Sequence, residues 1–305
     1  MKLAVICGTG IALSLIGTSL MAQNRIDLVR PDAPELAAIG PHVIGVQTLT
    51  FTHADRPDIA NAVAGEETGA TDREITVEVW YPAADGTEPG GSYTAFLRDG
   101  QTEVTLTGRA ARDADVAEGT YPLIIISHGY PGNRFLLSHL GENLASKGYI
   151  AVSVDHPDSI YSDLGAFGST LVNRPRDQAF VLESMAALDG ALGNAVDADR
   201  TGVIGYSMGG YGALIFGGGG VTQAGTELPY GAPNGLLEVN MAGTEAHATL
   251  VDERVQAIIA IGPWGRNVGL WDAEGLSGIE TPLMLVAGSV DSVSQYDAIR
   301  TIFEE

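Results

Sequence analysis

Cysteine is almost missing from this chain: of 305 residues only Cys7 carries a thiol. It lies in the apolar stretch 3–20 that follows Lys2 in "MKLAVICGTGIALSLIGTSLMAQN". A basic start, an apolar run and a small residue at Ala22 before polar Gln23 and Asn24 predict a secretory signal over residues 1–22, cleaved after Ala22. The alternative is an uncleaved anchor, because the stretch approaches spanning length. Cys7 stands too early in it for lipid attachment. A chain that matures at residue 23 has no thiol, which excludes disulfides and thiol catalysis. Its expected location is periplasmic or extracellular, with no stable membrane insertion after cleavage.

Positive charge is scarce as well. Lys2 and Lys147 are the only lysines, and 16 basic residues face 38 acidic ones, for a net charge of −22. A surface so acidic repels phosphate backbones and anionic lipid, so nucleic acid is excluded as a partner and solubility is the simple meaning of the charge. No histidine or carboxylate set stands at metal-ligand spacing, and "GGGG" (217–220) lacks the Gly-Lys-Ser/Thr of a phosphate loop. No metal or cofactor is expected.

What is present is regular. Hydrophobic residues make up 45% of the chain, enough at this length for one large core, so residues 23–305 read as a single α/β domain. "HVIGVQTLTF" (42–51) is an extended patch, and "REITVEVWYP" (73–82) alternates as a half-buried strand should. Residues 83–120 read as loops. "YPLIIISHG" (121–129) and "YIAVSVDH" (149–156) are continuous β-branched runs, expected of strands buried on both faces. Between them "FLLSHLGENLASKG" (135–148) has helical spacing. "RPRDQAFVLESMAALDG" (174–190) predicts a helix with Pro175 near its first turn and Gly190 past its end. "TGVIGYS" (201–207), "RVQAIIAIG" (254–262) and "TPLMLVAG" (281–288) are further strands, and "SQYDAIRTIFEE" (294–305) a short helix. Strands alternating with helices predict a mostly parallel central sheet with helices on both faces. Residues 217–252 interrupt the alternation, either as a lid or pocket wall or as a surface insertion.

The chemistry concentrates at "GVIGYSMGGYG" (202–212). A serine becomes a useful nucleophile when a tight strand-to-helix turn pushes its oxygen out above the sheet edge and a base takes its proton. Gly205 and Gly209 spare such a turn two side chains, and Gly210 lets the helix sit close to the strand. Ser207 is therefore the candidate nucleophile. Acyl transfer also needs two N–H donors aimed where negative charge develops. The amide of Met208, at the helix start, is one candidate; the amide of Tyr130, in the loop after "LIIISHG", is the other. His128 in that loop reads as a structural residue holding it by hydrogen bonds.

"SHGYPGNR", "GYSMGGYG", "IGPWG" and "LVAGSVDSV" together resemble the α/β-hydrolase fold over residues 73–305. Within it they are most similar to the dienelactone-hydrolase-like group that includes platelet-activating-factor acetylhydrolases and cutinase-type polyester hydrolases. Dienelactone hydrolases proper use cysteine where this chain has Ser207, so that particular activity is not implied. The resemblance implies a serine hydrolase of carboxylic esters, small or polymeric, working through an acyl-enzyme. It implies Asp291 as the acid of a Ser-His-Asp triad, with Asp155 the weaker candidate, and Trp264 with Tyr130 as substrate-pocket residues. A peptidase or amidase on the same fold, or a non-catalytic binding protein, are the alternatives.

The histidine that this order demands after the acid is not there: no residue from 292 to 305 is histidine. His247, in the insertion, and His156, at a strand end, are the conceivable relocated bases; His42, His53 and His139 are placed away from Ser207. The expectation is that the base, with a closing strand and helix, lies beyond Glu305, and that the 305 residues alone have little esterase activity.

Overall fold

The computed structural model describes residues 24–305; the proposed signal segment and Cys7 lie outside them. The chain opens with two long strands, β1 (Ile44–Pro57) and β2 (Ala70–Pro82), then a hairpin of β3 (Gly91–Phe96) and β4 (Glu103–Gly108), and the short β5 (Ala111–Arg112). The alternating part follows: β6 (Tyr121–Ser127), α1 (Ser138–Ala145), β7 (Ile150–Val154), the two-residue pair β8 (Ser159–Ile160) and β9 (Asp163–Leu164), α2 (Phe167–Ala186), α3 (Gly190–Ala195), β10 (Val196–Tyr206) and α4 (Met208–Phe216). Short helices α5 (Gln223–Thr226) and α6 (Glu245–Ala248) occupy the insertion. β11 (Val255–Ile261), α7 (Ala273–Leu276), β12 (Leu283–Val286) and α8 (Tyr296–Glu304) complete the described elements.

Eight strands form one sheet in the order β12-β11-β10-β6-β7-β2-β1-β5. From β12 to β7 every pairing is parallel; β2 joins β7 and β1 antiparallel. The continuous apolar runs sit where such runs belong: β7 is buried throughout, and Leu123, Ile125 and Ile126 of β6 are inaccessible. Two parallel strands flank β6, and helices cover both faces, so neither face needs polar residues. The mostly parallel sheet with surrounding helices is the α/β-hydrolase architecture.

Several local expectations are corrected. The segment expected to be a half-buried strand is buried on both faces toward its end, because β2 lies inside the sheet and Trp80 and Tyr81 are covered. The region 83–120 is not only loop: the β3–β4 hairpin packs its Tyr93 under α1, where the Tyr93 hydroxyl donates to Glu142. The helix expected at 174–190 runs instead from Phe167 to Ala186, with Pro175 inside it. Proline cannot donate to the carbonyl four residues back, which would orphan Leu171 O in the core. Two distant donors repair this: the Tyr211 hydroxyl (2.9 Å) and the Asn240 amide (3.1 Å) both reach Leu171 O. Asn240 belongs to the 217–252 insertion, whose Val221, Leu237 and His247 are buried. That segment is part of the core rather than a surface addition.

Candidate active site

β10 runs through the middle of the sheet and turns at once into α4. At the junction Ser207 has φ 53° and ψ −111°, a left-handed conformation that an L-residue keeps only when its surroundings enforce it. The enforcement is visible in the backbone. Ser207 N–H donates to Ile261 O at 2.8 Å, and Ser207 O accepts from Tyr211 N (3.0 Å) and Trp264 N (3.2 Å). A side chain at position 205 would meet the carbonyl of Gly209, and one at 209 the carbonyl of Ser127, so both glycines are sterically required. Ser207 is half-buried and reachable from outside.

The neighbouring strand delivers the second component. Gly205 pairs with Ser127, so the loop after β6 leaves the sheet beside the elbow. A Cβ on Gly129 would lie 3.3 Å from the Ser207 Cβ. Among the described residues, neither the Met208 nor the Tyr130 N–H donates to a protein acceptor. The peptide planes of both donors are held from behind: Ser207 O by the two amides above, Gly129 O by His128 Nδ1 at 2.6 Å.

Behind this loop lies a buried network that spacing alone does not reveal. Ser127 Oγ is 2.8 Å from His156 Nε2, and His156 Nδ1 is 2.9 Å from Asp177 Oδ2. A carboxylate only accepts, so the proton is on Nδ1 of His156 and the Ser127 hydroxyl donates to Nε2. By the same logic His128 Nε2 accepts from the His156 backbone N–H (3.4 Å), and its Nδ1–H donates to Gly129 O. Arg73 grips Asp177 with Nε (2.8 Å) and Nη2 (3.0 Å) and Asp158 with Nη1 (2.7 Å). Arg174 donates to His128 O and to Ser159 Oγ, each at 2.5 Å, and Gln178 Nε2 to Gly209 O at 3.0 Å. Residues 174, 177 and 178 of α2 thus tie down both loops that flank Ser207. The order hydroxyl–imidazole–carboxylate in Ser127, His156 and Asp177 is that of a catalytic triad. Ser127 is wholly inaccessible, however, so the arrangement is an internal brace.

Burial pushes the His156 imidazole down to about 3, with the Arg174 charge adding to the effect, and it pushes His128 well below its ordinary value. Burial alone would raise Asp177, but Arg73 and the His156 N–H hold it below the usual carboxylate range. Arg174, buried without a carboxylate partner of its own, is pushed down to about 9 and stays charged at neutral pH.

Both histidines are neutral in the fold and would bind protons when unfolded. Their contribution is therefore complete above pH 6.5 and is lost as pH falls toward their native values. Between pH 7 and pH 5 the unfolding free energy should drop by about 2 kcal/mol for the His156 ring, and the buried His128 ring should lower it further. Urea titrations at the two pH values check this; an unchanged midpoint contradicts neutral, buried rings.

Asp291 follows β12. Its Oδ1 accepts from Val293 N (2.8 Å) and Ser294 N (2.9 Å), and its Oδ2 lies 3.6 Å from where a Cβ on Gly262 would stand. Ser207 and Asp291 therefore rest against successive residues, Ile261 and Gly262, at the end of β11. Asp155 is engaged elsewhere, by the backbone N–H and guanidinium of Arg134. All six histidines are among the described residues, and none hydrogen-bonds to Ser207 or Asp291. His247 Nε2 is 3.2 Å from Gly219 O, His156 is in the brace, and His53 stacks on Phe180 with centroids 4.0 Å apart. Neither suggested relocated base reaches the serine. Among the described residues no group of three His, Cys, Asp or Glu could hold a metal ion.

Aromatic rings cover the cleft. Tyr130 and Trp264 stand on the two loops beside Ser207, and Phe167, the first residue of α2, touches both: centroids are 5.0 Å from Tyr130 and 5.5 Å from Trp264. Tyr230 of the insertion lies 5.9 Å from Phe167. Phe167 and Tyr230 are legible only in three dimensions, because both sit in irregular, glycine-rich sequence with no period to mark them. Two cavities of about 540 and 550 Å³ open beside α1, but neither is lined by Ser207, Asp291, Tyr130 or Trp264, so volume does not mark this site.

Comparison with known proteins gives family matches over segments that hold Tyr130 and Ser207 but not Trp264 or Asp291. Residues 107–224 match the family described as PET hydrolase-like, and residues 39–164 that of platelet-activating factor acetylhydrolase, isoform II. Cutinase est2 of Thermobifida alba is 35% identical over 102 residues, 31% of this chain and 29% of its own length. A bis(hydroxyethyl) terephthalate hydrolase of Streptomyces coelicolor is 29% identical over 103 residues, 32% of this chain and again 29% of its length. The match thus spans less than a third of these curated relatives. A ferulic acid esterase structure from Streptomyces cinnamoneus superposes with a TM-score of 0.57 at 22% identity, covering 93% of this chain and 72% of that one, a likeness of fold.

Proposed function

We propose that this chain, a member of the cutinase- and platelet-activating-factor-acetylhydrolase-like group of α/β-hydrolases, is an exported serine hydrolase that cleaves carboxylic esters through an acyl-enzyme. The observation that carries the reading is the enforced left-handed Ser207 at φ 53°, beside Gly129 and the Tyr130 and Met208 amides. Ser207 Oγ attacks the ester carbonyl carbon while a base takes its proton. The carbonyl oxygen becomes an oxyanion facing the N–H groups of Tyr130 and Met208, two donors together worth several kcal/mol of barrier. The base returns its proton to the departing alcohol, and water then repeats the sequence on the acyl-enzyme. Asp291 orients the base and stabilises its charged form.

The base itself would be a histidine, and none of the six in this sequence hydrogen-bonds to Ser207 or Asp291. Tyr130 and Trp264 line the approach with aromatic surface, which favours neutral esters. The leader at residues 1–22 directs the chain to the periplasm or the exterior.

The 305-residue chain should hydrolyse a p-nitrophenyl ester only at the level that binding and oxyanion donors sustain without a triad member, roughly 10³–10⁴-fold over water. A form extended by the downstream coding sequence should be faster by orders of magnitude. Brisk turnover by the 305 residues alone would show that one of those six supplies the base. The same absence of histidine at Ser207 favours one second reading, a binding protein that does not hydrolyse; an extended form equally inert toward esters would establish it. A parallel amide series separates peptidase from esterase activity.

A further inference from the structure

Tyr130 and Trp264 rise from opposite sides of Ser207: one follows Gly129, whose Cβ position abuts the serine, and the other donates its backbone N–H to Ser207 O. Aromatic rings in contact have centroids about 4.5–7 Å apart. Phe167 meets that condition with both rings at once, edge to face, at interplanar angles of 78° and 90°. The space between Tyr130 and Trp264 is therefore already occupied by a ring of the protein.

Phe167 is not held there by the sheet. It opens α2 directly after the small β8–β9 pair, and its next residue, Gly168, lies against the backbone of Ala232 so closely that any side chain would collide. The insertion thus rests on the first turn of α2, and Tyr230 closes over Phe167 from that side. Two segments outside the sheet cooperate to keep this ring in the slot.

We infer that Phe167 is a specificity-determining plug. It fills the Tyr130–Trp264 slot, so that the site accepts short aliphatic acyl groups as it stands and takes a ring-bearing acyl group only by displacing Phe167. The inference rests on the reading of Ser207 as the reacting centre, but it concerns binding, which needs no base. If Phe167 were instead a wall of an aromatic pocket, removing it would weaken the binding of a ring. The two roles have opposite signs.

The test uses the chain carrying Ser207→Ala, in which bound esters are not consumed, with ethyl benzoate and ethyl butyrate as probes in ligand-observed NMR titrations. Adding Phe167→Ala should tighten ethyl benzoate binding roughly tenfold, the size of the edge-to-face contacts a ligand ring no longer has to replace. Ethyl butyrate should change by less than about threefold, because it has no ring to take up the contacts Phe167 gives up. Phe167→Leu, which keeps an apolar side chain beneath Tyr230, should shift ethyl benzoate in the same direction by less. Unchanged or weaker ethyl benzoate binding in both variants overturns the plug. Binding of neither ester to any form removes the site and the plug together. The expected shift in an extended enzyme that fails to turn over esters would keep the plug and sink the catalytic reading.

Discussion

Replacing Asp177 by alanine is expected to lower the unfolding free energy by about 3–5 kcal/mol, the usual result of removing one partner from a buried ion pair. Asp177 is almost wholly buried and receives two N–H groups of Arg73 and one of His156. The alanine variant keeps the Arg73 charge in the core with only Asp158 and the Pro157 carbonyl to answer it. It also leaves the His156 Nδ1–H without an acceptor, which frees the ring to turn and the Ser127 hydroxyl to lose its partner. Urea or thermal unfolding at pH 7 measures the loss. Arg30→Ala is the contrasting case: Arg30 and Asp32 are both largely exposed, so its effect should stay under about 1 kcal/mol. A small effect for Asp177→Ala would mean that the brace behind the oxyanion loop does not bear on the fold.

The second large effect concerns rate rather than stability. On the proposed reading, Ser207→Ala in a form that turns over esters should cut that turnover by about 10⁴ to 10⁶-fold, as removal of a triad nucleophile does. Alanine inherits the same φ, so the strain at the elbow is unchanged and stability should move by less than about 0.5 kcal/mol. The pair of outcomes matters more than either alone. A structural serine in a tight turn would show no change in rate, and a serine whose hydroxyl braced the turn would cost stability.

How much of this could be read from residues alone depends on whether the cause was local. The elbow was legible because its spacing is local: Gly205 and Gly209 stand at a fixed distance from Ser207, although only the clash avoided at Gly205 is within the same turn, while Gly209 makes room for the carbonyl of Ser127 on the neighbouring strand. The strands β6 and β7 were legible because burial on both faces leaves a continuous apolar run. The start of α2 was not, because the proline that argues against a helix there is excused by Tyr211 and Asn240, 40 and 69 residues away from Leu171. The brace was hidden for the same reason. Arg73 and Asp177 are 104 residues apart, and nothing near either one announces the other. His156 shows how such a residue misleads: a histidine at a strand end on the catalytic side suggests a base, and only its partners reveal a buried structural ring. Phe167 and Tyr230 acquire meaning solely from meeting each other over the cleft.

The account stands on Ser207 being the reacting hydroxyl, and this chain contains a second serine in hydroxyl–imidazole–carboxylate order, Ser127. A fluorophosphonate probe distinguishes them directly. Incubated with the extended protein and mapped by peptide mass spectrometry, it should form a single adduct on the peptide holding Ser207, absent from Ser207→Ala. An unlabelled protein, or an adduct on Ser127, would contradict the assignment.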